Sequence, residues 1–114
     1  MTDCIFCKIA NGTIAAKKIL ETDTVVAFMD IAPQSPVHAL VVPKSHIRNI
    51  TELSAQPANI TTDVVAAINS VAKECGISES GFRVVTNTGD NGGQTVDHLH
   101  FHVLGGRSMT WPPG

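Results

Sequence analysis

Residues 96–106 read VDHLHFHVLGG, and three of the chain's five histidines, His98, His100 and His102, stand there at alternate positions. A strand turns successive side chains to opposite faces, so the three imidazoles share one face and Leu99, Phe101 and Val103 share the other. Neighbours on one face lie roughly 6.5–7 Å apart along a strand. The apolar face suits packing on a helix. The histidine face is a poor choice for a core, because buried imidazoles need hydrogen-bond partners. A solvated face on an edge strand would meet that need. Strict alternation beside a glycine-rich loop points instead to a site.

Upstream, the chain supplies partners for such a strand. Gly81–Asn87 (GFRVVTN) reads as a strand, and TGDNGGQ after it is too glycine-rich to continue one. Thr24–Ile31 (TVVAFMDI) and Val37–Lys44 (VHALVVPK) are two more, joined by APQSP into an antiparallel hairpin, with Pro43 ending the second. Between Asn59 and Cys75 the period changes. Ile60, Val64, Val65, Ile68, Val71, Ala72 and Cys75 recur at three- and four-residue steps, the stripe of an amphipathic helix. Gly76 falls where a left-handed cap belongs. The stripe's β-branched residues lower helix propensity, so packing has to hold the helix. Strands, then a helix, then strands predict an α+β domain with an antiparallel sheet. The closing WPPG (111–114) cannot be regular structure, since consecutive prolines remove backbone donors.

Composition sets the bounds. A chain of 114 residues predicts one domain, residues 1–114, with a modest core. A hydrophobic fraction of 43% and a charged fraction of 16% are globular values. The net charge is −2 and like charges never run beyond a pair, which argues against nucleic-acid or electrostatic membrane binding. No apolar stretch nears the roughly 20 residues of a membrane span. The opening MTDCIFCKIANG is unlike a secretory signal, so a cytoplasmic setting is expected. Three cysteines do not suggest a disulfide framework, and Cys75 reads as a small core residue.

At neutral pH an imidazole can be nucleophile, proton carrier, phosphate donor or metal ligand. The preceding loop narrows the choice. Gly89, Gly92 and Gly93 permit close backbone approach and positive φ, and exposed N–H groups there can form an anion nest. Asn87, Gln94 and Thr95 add neutral donors. With no cationic side chain, a loop facing three histidines suits one phosphoryl group better than a triphosphate. An ordinary hairpin turn is the alternative.

HLHFHVL (98–104) is similar to the His-φ-His-φ-His-φ-φ signature of the histidine triad (HIT) family, φ being hydrophobic. The chain resembles the nucleotide-binding Hint branch over nearly its whole length. The resemblance rests on CIFCKIANGTI (4–14), AFMDIAPQSPVHALVVPKSH (27–46), NTGDNGGQTVDHLHFHVLGG (87–106) and WPPG. It implies a sheet of about five antiparallel strands with one main helix, and a homodimer whose two sheets join into one.

It also implies hydrolysis of purine nucleoside 5′-phosphoramidates and acyl-adenylates. His100 would be the nucleophile, forming a nucleotidyl-imidazole that water then hydrolyses, with its other nitrogen on an acceptor such as a backbone carbonyl to fix the tautomer. His102 and His38 would donate to phosphate or assist proton transfer. Asn87, Gly93, Gln94 and Thr95 match the phosphate loop, Thr95 standing where serine is usual. Asp30 would take the ribose hydroxyls. Ile5, Phe6, Ile9, Phe28 and Ile31 would form an apolar slot for the base, favouring purines without choosing between adenine and guanine. Trp111 in the tail would reach the partner's site and help select the leaving group.

Cys4 and Cys7 alone form a Cys-x-x-Cys pair short of two zinc ligands. The resemblance adds His46 and His98, a closed set for a structural zinc, with no cofactor needed for the chemistry. Two alternatives stand: a proton-sharing His46–His98 pair, as in relatives lacking the cysteines, or redox chemistry. Asp97 and an alanine in TIAAKKI (13–19) depart from the family pattern, and neither is expected to touch the chemistry. Dinucleoside polyphosphate hydrolysis, nucleotidyl transfer, or nucleotide-dependent regulation with incidental turnover are the competing functions.

Overall fold

The computed structural model describes residues 4–114. In chain order the elements are α1 (Ile5–Ala10), β1 (Lys18–Glu21), β2 (Val25–Met29), β3 (Val37–Pro43), a short 3-10 turn (Ile50–Ala55), α2 (Ala58–Glu74), β4 (Phe82–Val85) and β5 (Phe101–Gly105). Five strands form one sheet in the order β1-β2-β3-β5-β4, antiparallel at every pairing. This is the α+β architecture expected. None of the described helices is long and apolar enough to cross a membrane.

Three elements are absent from the sequence reading: α1, β1 and the 3-10 turn. Six residues are too few to show a helical period, and β1 is a four-residue edge strand broken by an irregularity between Lys18 and Leu20. The strands are also shorter than their composition suggests: Asp30 and Ile31 lie beyond β2, and β4 stops at Val85. At the end of α2, Gly76 adopts φ +72°. Its N–H bonds to the Lys73 carbonyl at 3.1 Å and the Ile77 N–H to the Ala72 carbonyl at 2.9 Å, the paired closure of a Schellman cap.

Strand parity divides the sheet. Val25, Ala27, Ala39, Val41, Phe101 and Val103 share a core with the α2 stripe of Ile60, Val64, Ile68 and Val71. On the other face Val26, Phe28, Leu40 and Val42 form a second cluster with Phe6 and Ile9 of α1. One row across that face runs Lys18–Phe28–Leu40–His102, each pair in register. The site is built on this row.

The histidine segment differs from the simple strand in two respects. Only His102 lies within β5; His98 sits in a bend and His100 just before the strand. The backbone there is held differently, with the Leu99 N–H on the Ile47 carbonyl at 2.6 Å and the Thr86 hydroxyl on the His100 carbonyl at 2.8 Å. Alternation nevertheless survives, since Leu99 joins the α2 core. The imidazole face is also buried after all: His98 is 0% exposed and His100 5%. Each ring has the partner that burial demands, and no buried side-chain nitrogen or oxygen among the described residues is left unbonded.

Candidate active site and metal centre

A cavity of about 500 Å³ opens on the α1 side of the sheet. That is the size of a small-molecule site. Ile5, Phe6, Ile9, Phe28 and Ile31 line it, and so do Asp30, Thr95, His100 and His102. Phe6 meets Phe28 edge-on with centroids 5.7 Å apart, and meets the His100 ring at 5.0 Å. Ile31, fully exposed, lies at the rim.

The nitrogens of these imidazoles can be assigned from partners that only donate or only accept. His100 Nδ1 lies 2.7 Å from the His98 carbonyl, so Nδ1 carries a hydrogen, and in the neutral ring the lone pair falls on Nε2. This is the carbonyl acceptor expected for the nucleophile. The Gln34 N–H donates to His38 Nδ1 at 3.0 Å, which puts the His38 proton on Nε2. That nitrogen is 2.8 Å from His102 Nδ1 and 3.4 Å from Asp30 Oδ2. His102 Nδ1 therefore accepts, and its Nε2–H is left to donate. Burial lowers the pKa of both rings; for His102 the nearby His100 and His38 add to the effect, while Asp30 opposes it in each case.

Five expected site residues stand elsewhere. His38 does not line the cavity: it backs His102 with both nitrogens occupied. Gln94 spends its side chain inside the loop, donating to the carbonyls of Arg48 and Val96 at 2.8 and 3.0 Å and accepting from the Gly89 N–H at 3.0 Å. The N–H groups of Gly93 and Gln94 bond within the loop too, to the Asp90 and Gly89 carbonyls, so they are not free donors of an anion nest. Asn87 lies outside the lining. Trp111 is 80% exposed and away from its own cavity; the Arg83 guanidinium sits 5.9 Å from its ring centroid and donates to the Thr110 carbonyl at 3.0 Å.

The structure also adds residues. Leu40 lines the cavity between Phe28 and His102, and strand parity would have found it two positions after His38. Ile14, Ala15, Ala16 and Lys17 line it as well. The alanine departure from the family pattern is thus at the cavity wall, in an irregular segment without a periodic signal. Asp97 is exposed, away from the site as expected.

Beside the cavity, the ligand atoms of Cys4, Cys7, His46 and His98 all lie within 4.8 Å of one another. Cys4 Sγ is 3.3 Å and Cys7 Sγ 3.4 Å from His98 Nδ1, and Cys7 Sγ is 3.2 Å from His46 Nδ1. Sulfur and nitrogen bound to one tetrahedral zinc stand roughly 3.5 Å apart, so the donor set fits. His98 Nε2–H donates to the Pro43 carbonyl at 2.8 Å, freeing Nδ1 as a ligand. Without a cation the site is ill suited to thiolates: burial and the neighbouring Cys4 push the Cys7 thiol up to about 11. These four residues fit a structural zinc.

The family model of the HIT domain matches residues 11–109. An uncharacterised HIT-like protein of Synechococcus elongatus is 47% identical over 112 residues, covering 98% of this chain and 97% of the relative. A 14 kDa zinc-binding protein of Brassica juncea is 41% identical over 98% of this chain and all of its own length. Among solved structures, a HIT family hydrolase of Legionella pneumophila superposes with a TM-score of 0.93 at 44% identity, covering 98% of this chain and 100% of the other. A histidine triad protein of Clostridium difficile gives 0.90 at 45%, covering 96% of each. An antiparallel α+β sheet with two triad imidazoles on a cavity and the third in the metal set beside it defines the class. The chain belongs to the HIT family.

Proposed function

We propose that this protein hydrolyses purine nucleoside 5′-phosphoramidates and acyl-adenylates through a nucleotidyl intermediate on His100. The observation that carries the reading is the His100 ring, whose Nδ1 is tied to the His98 carbonyl so that in the neutral ring the lone pair falls on Nε2 of a residue lining the cavity. Nε2 forms a bond to phosphorus as the P–N or P–O bond to the leaving group breaks. The His102 Nε2–H is the donor at hand for phosphate oxygen or for the departing amine, and the Thr95 hydroxyl is a second. Water then attacks phosphorus, releases nucleoside monophosphate and returns His100.

Asp30 supplies the carboxylate for the ribose hydroxyls, between the imidazoles and the apolar wall. The wall itself suits the flat face of a purine. His38 acts through His102, and Asn87, Gly93 and Gln94 shape the loop that carries Thr95. The hydrolase relatives support the reaction type, and the Brassica protein supports the zinc.

Two copies would pair into one continuous sheet, each lending Trp111 to the other's cavity. A cytoplasmic setting suits Cys4 and Cys7, which must stay reduced to hold a metal. Intact-protein mass spectrometry after a rapid quench should find a nucleotidyl adduct on wild-type protein given an adenosine phosphoramidate. His100→Ala should lose it while still binding AMP. Adduct formation from diadenosine polyphosphate faster than from the phosphoramidate would move the reading to the dinucleotide branch, and no adduct from either would leave a binding protein.

A further inference from the structure

The cavity and the metal centre share one short helix. Cys4 caps α1, with the Cys7 N–H 3.4 Å from its sulfur, and Cys7 lies within the helix. Ile5, Phe6 and Ile9 of the same helix line the cavity. A helix of six residues cannot hold itself in water, where about 12–15 are needed for even marginal stability. Its position therefore comes from what grips it. On one side that is packing of Phe6 and Ile9 on Phe28 and Leu40. On the other it is the bonds from Cys4 and Cys7 to whatever joins them to His46 and His98.

Phe6 links the two sites directly, edge-on to His98 at 6.0 Å and to His100 at 5.0 Å. His98 touches both as well: its ring belongs to the metal set and its carbonyl takes the His100 Nδ1–H. His46 is exposed and Cys7 only part-buried, so a chelator can reach the centre in the folded protein.

We propose that metal at Cys4, Cys7, His46 and His98 sets the affinity of the cavity for nucleotide, by holding α1 as the cavity's wall. Cys4 and Cys7 are thereby positioning residues for the base, acting through Phe6. The inference rests on the nucleotide-binding reading above. Coupling of this kind is reciprocal, so nucleotide must tighten metal binding by the factor by which metal tightens nucleotide binding.

The test uses the full chain, kept reduced, with AMP and GMP as probes. Calorimetric titration should show AMP binding at least about tenfold more weakly to metal-stripped than to zinc-loaded protein, within the usual span of coupling between sites. Equilibrium competition with a chromophoric chelator should show zinc held more tightly by the same factor at saturating AMP, a measurement needing no stable stripped state. In Phe6→Ala both effects should shrink. AMP affinity within twofold in folded stripped protein, or zinc affinity indifferent to saturating AMP, overturns the proposal. Zinc-loaded protein that binds neither AMP nor GMP removes the nucleotide reading itself.

Discussion

The two faces of the sheet both bury their central side chains and are opposite in what holds them there. Toward α2, Val25, Ala27, Ala39, Val41, Leu99 and Val103 are buried among aliphatic neighbours. Toward α1, His38, His98 and His100 are buried almost as completely, each tied to a named partner. Apolar packing tolerates volume-conserving exchange. A hydrogen-bonded imidazole does not, because removing either partner strands the other. The difference teaches that depth of burial does not mark the functional face; the specificity of the partners does.

Adjacent residues on opposite faces give the sharpest way to break that comparison. Leu99→Ala should cost about 2–5 kcal/mol of stability, as large-to-small changes in a close-packed core do, while turnover of an adenosine phosphoramidate by the folded fraction stays near that of the wild type. His100→Ala should abolish turnover and cost less stability than Leu99→Ala. Denaturant unfolding alongside initial rates separates them, and a reversed pattern would end the distinction. Next in size is Gln94→Ala. Its side chain joins the Gly89 N–H to the carbonyls of Arg48 and Val96, so its loss should cost about 1–3 kcal/mol and loosen the loop beside Thr95. Phosphate affinity should weaken while the quenched His100 adduct still forms. An unaltered affinity would show that the loop holds its shape without the strut.

How far the sequence discloses each face follows from the same contrast. Period-2 alternation at 98–103 and the three- and four-residue steps of α2 report the extended chain, the helix and their packing, because apolar burial repeats. The resemblance then places nine of the expected cavity residues where the structure has them. Hydrogen bonding has no period. That His38 would stand behind His102, held by the Gln34 N–H, depends on where a turn puts one backbone donor. That Gln94 would brace its loop depends on the Arg48 carbonyl, brought close by the fold from 46 residues away. Nor could α1 be read, since its six residues take their helical form from the sites on either side rather than from their own pattern.

The smallest expected effect tests the imidazole pair itself. His38 and His102 both have pKa values below the ordinary 6.5, burial being the larger cause. A lowered value means that the fold favours the neutral ring. The stability this contributes is complete above the ordinary value and is lost as pH falls through the lowered ones. Protonation is opposed locally for a specific reason: a second proton on His38 would have to sit on Nδ1, where the Gln34 N–H already points. Ring nitrogen-15 spectra across pH 8 to 5 should therefore show both rings neutral at 6.5, each with its hydrogen on Nε2, and both midpoints on the acid side of that value. A charged His102 at pH 6.5 would mean that the Asp30 carboxylate outweighs burial. The histidine face would then hold a cation at rest, rather than the neutral Nε2–H donor that the proposed reaction calls on.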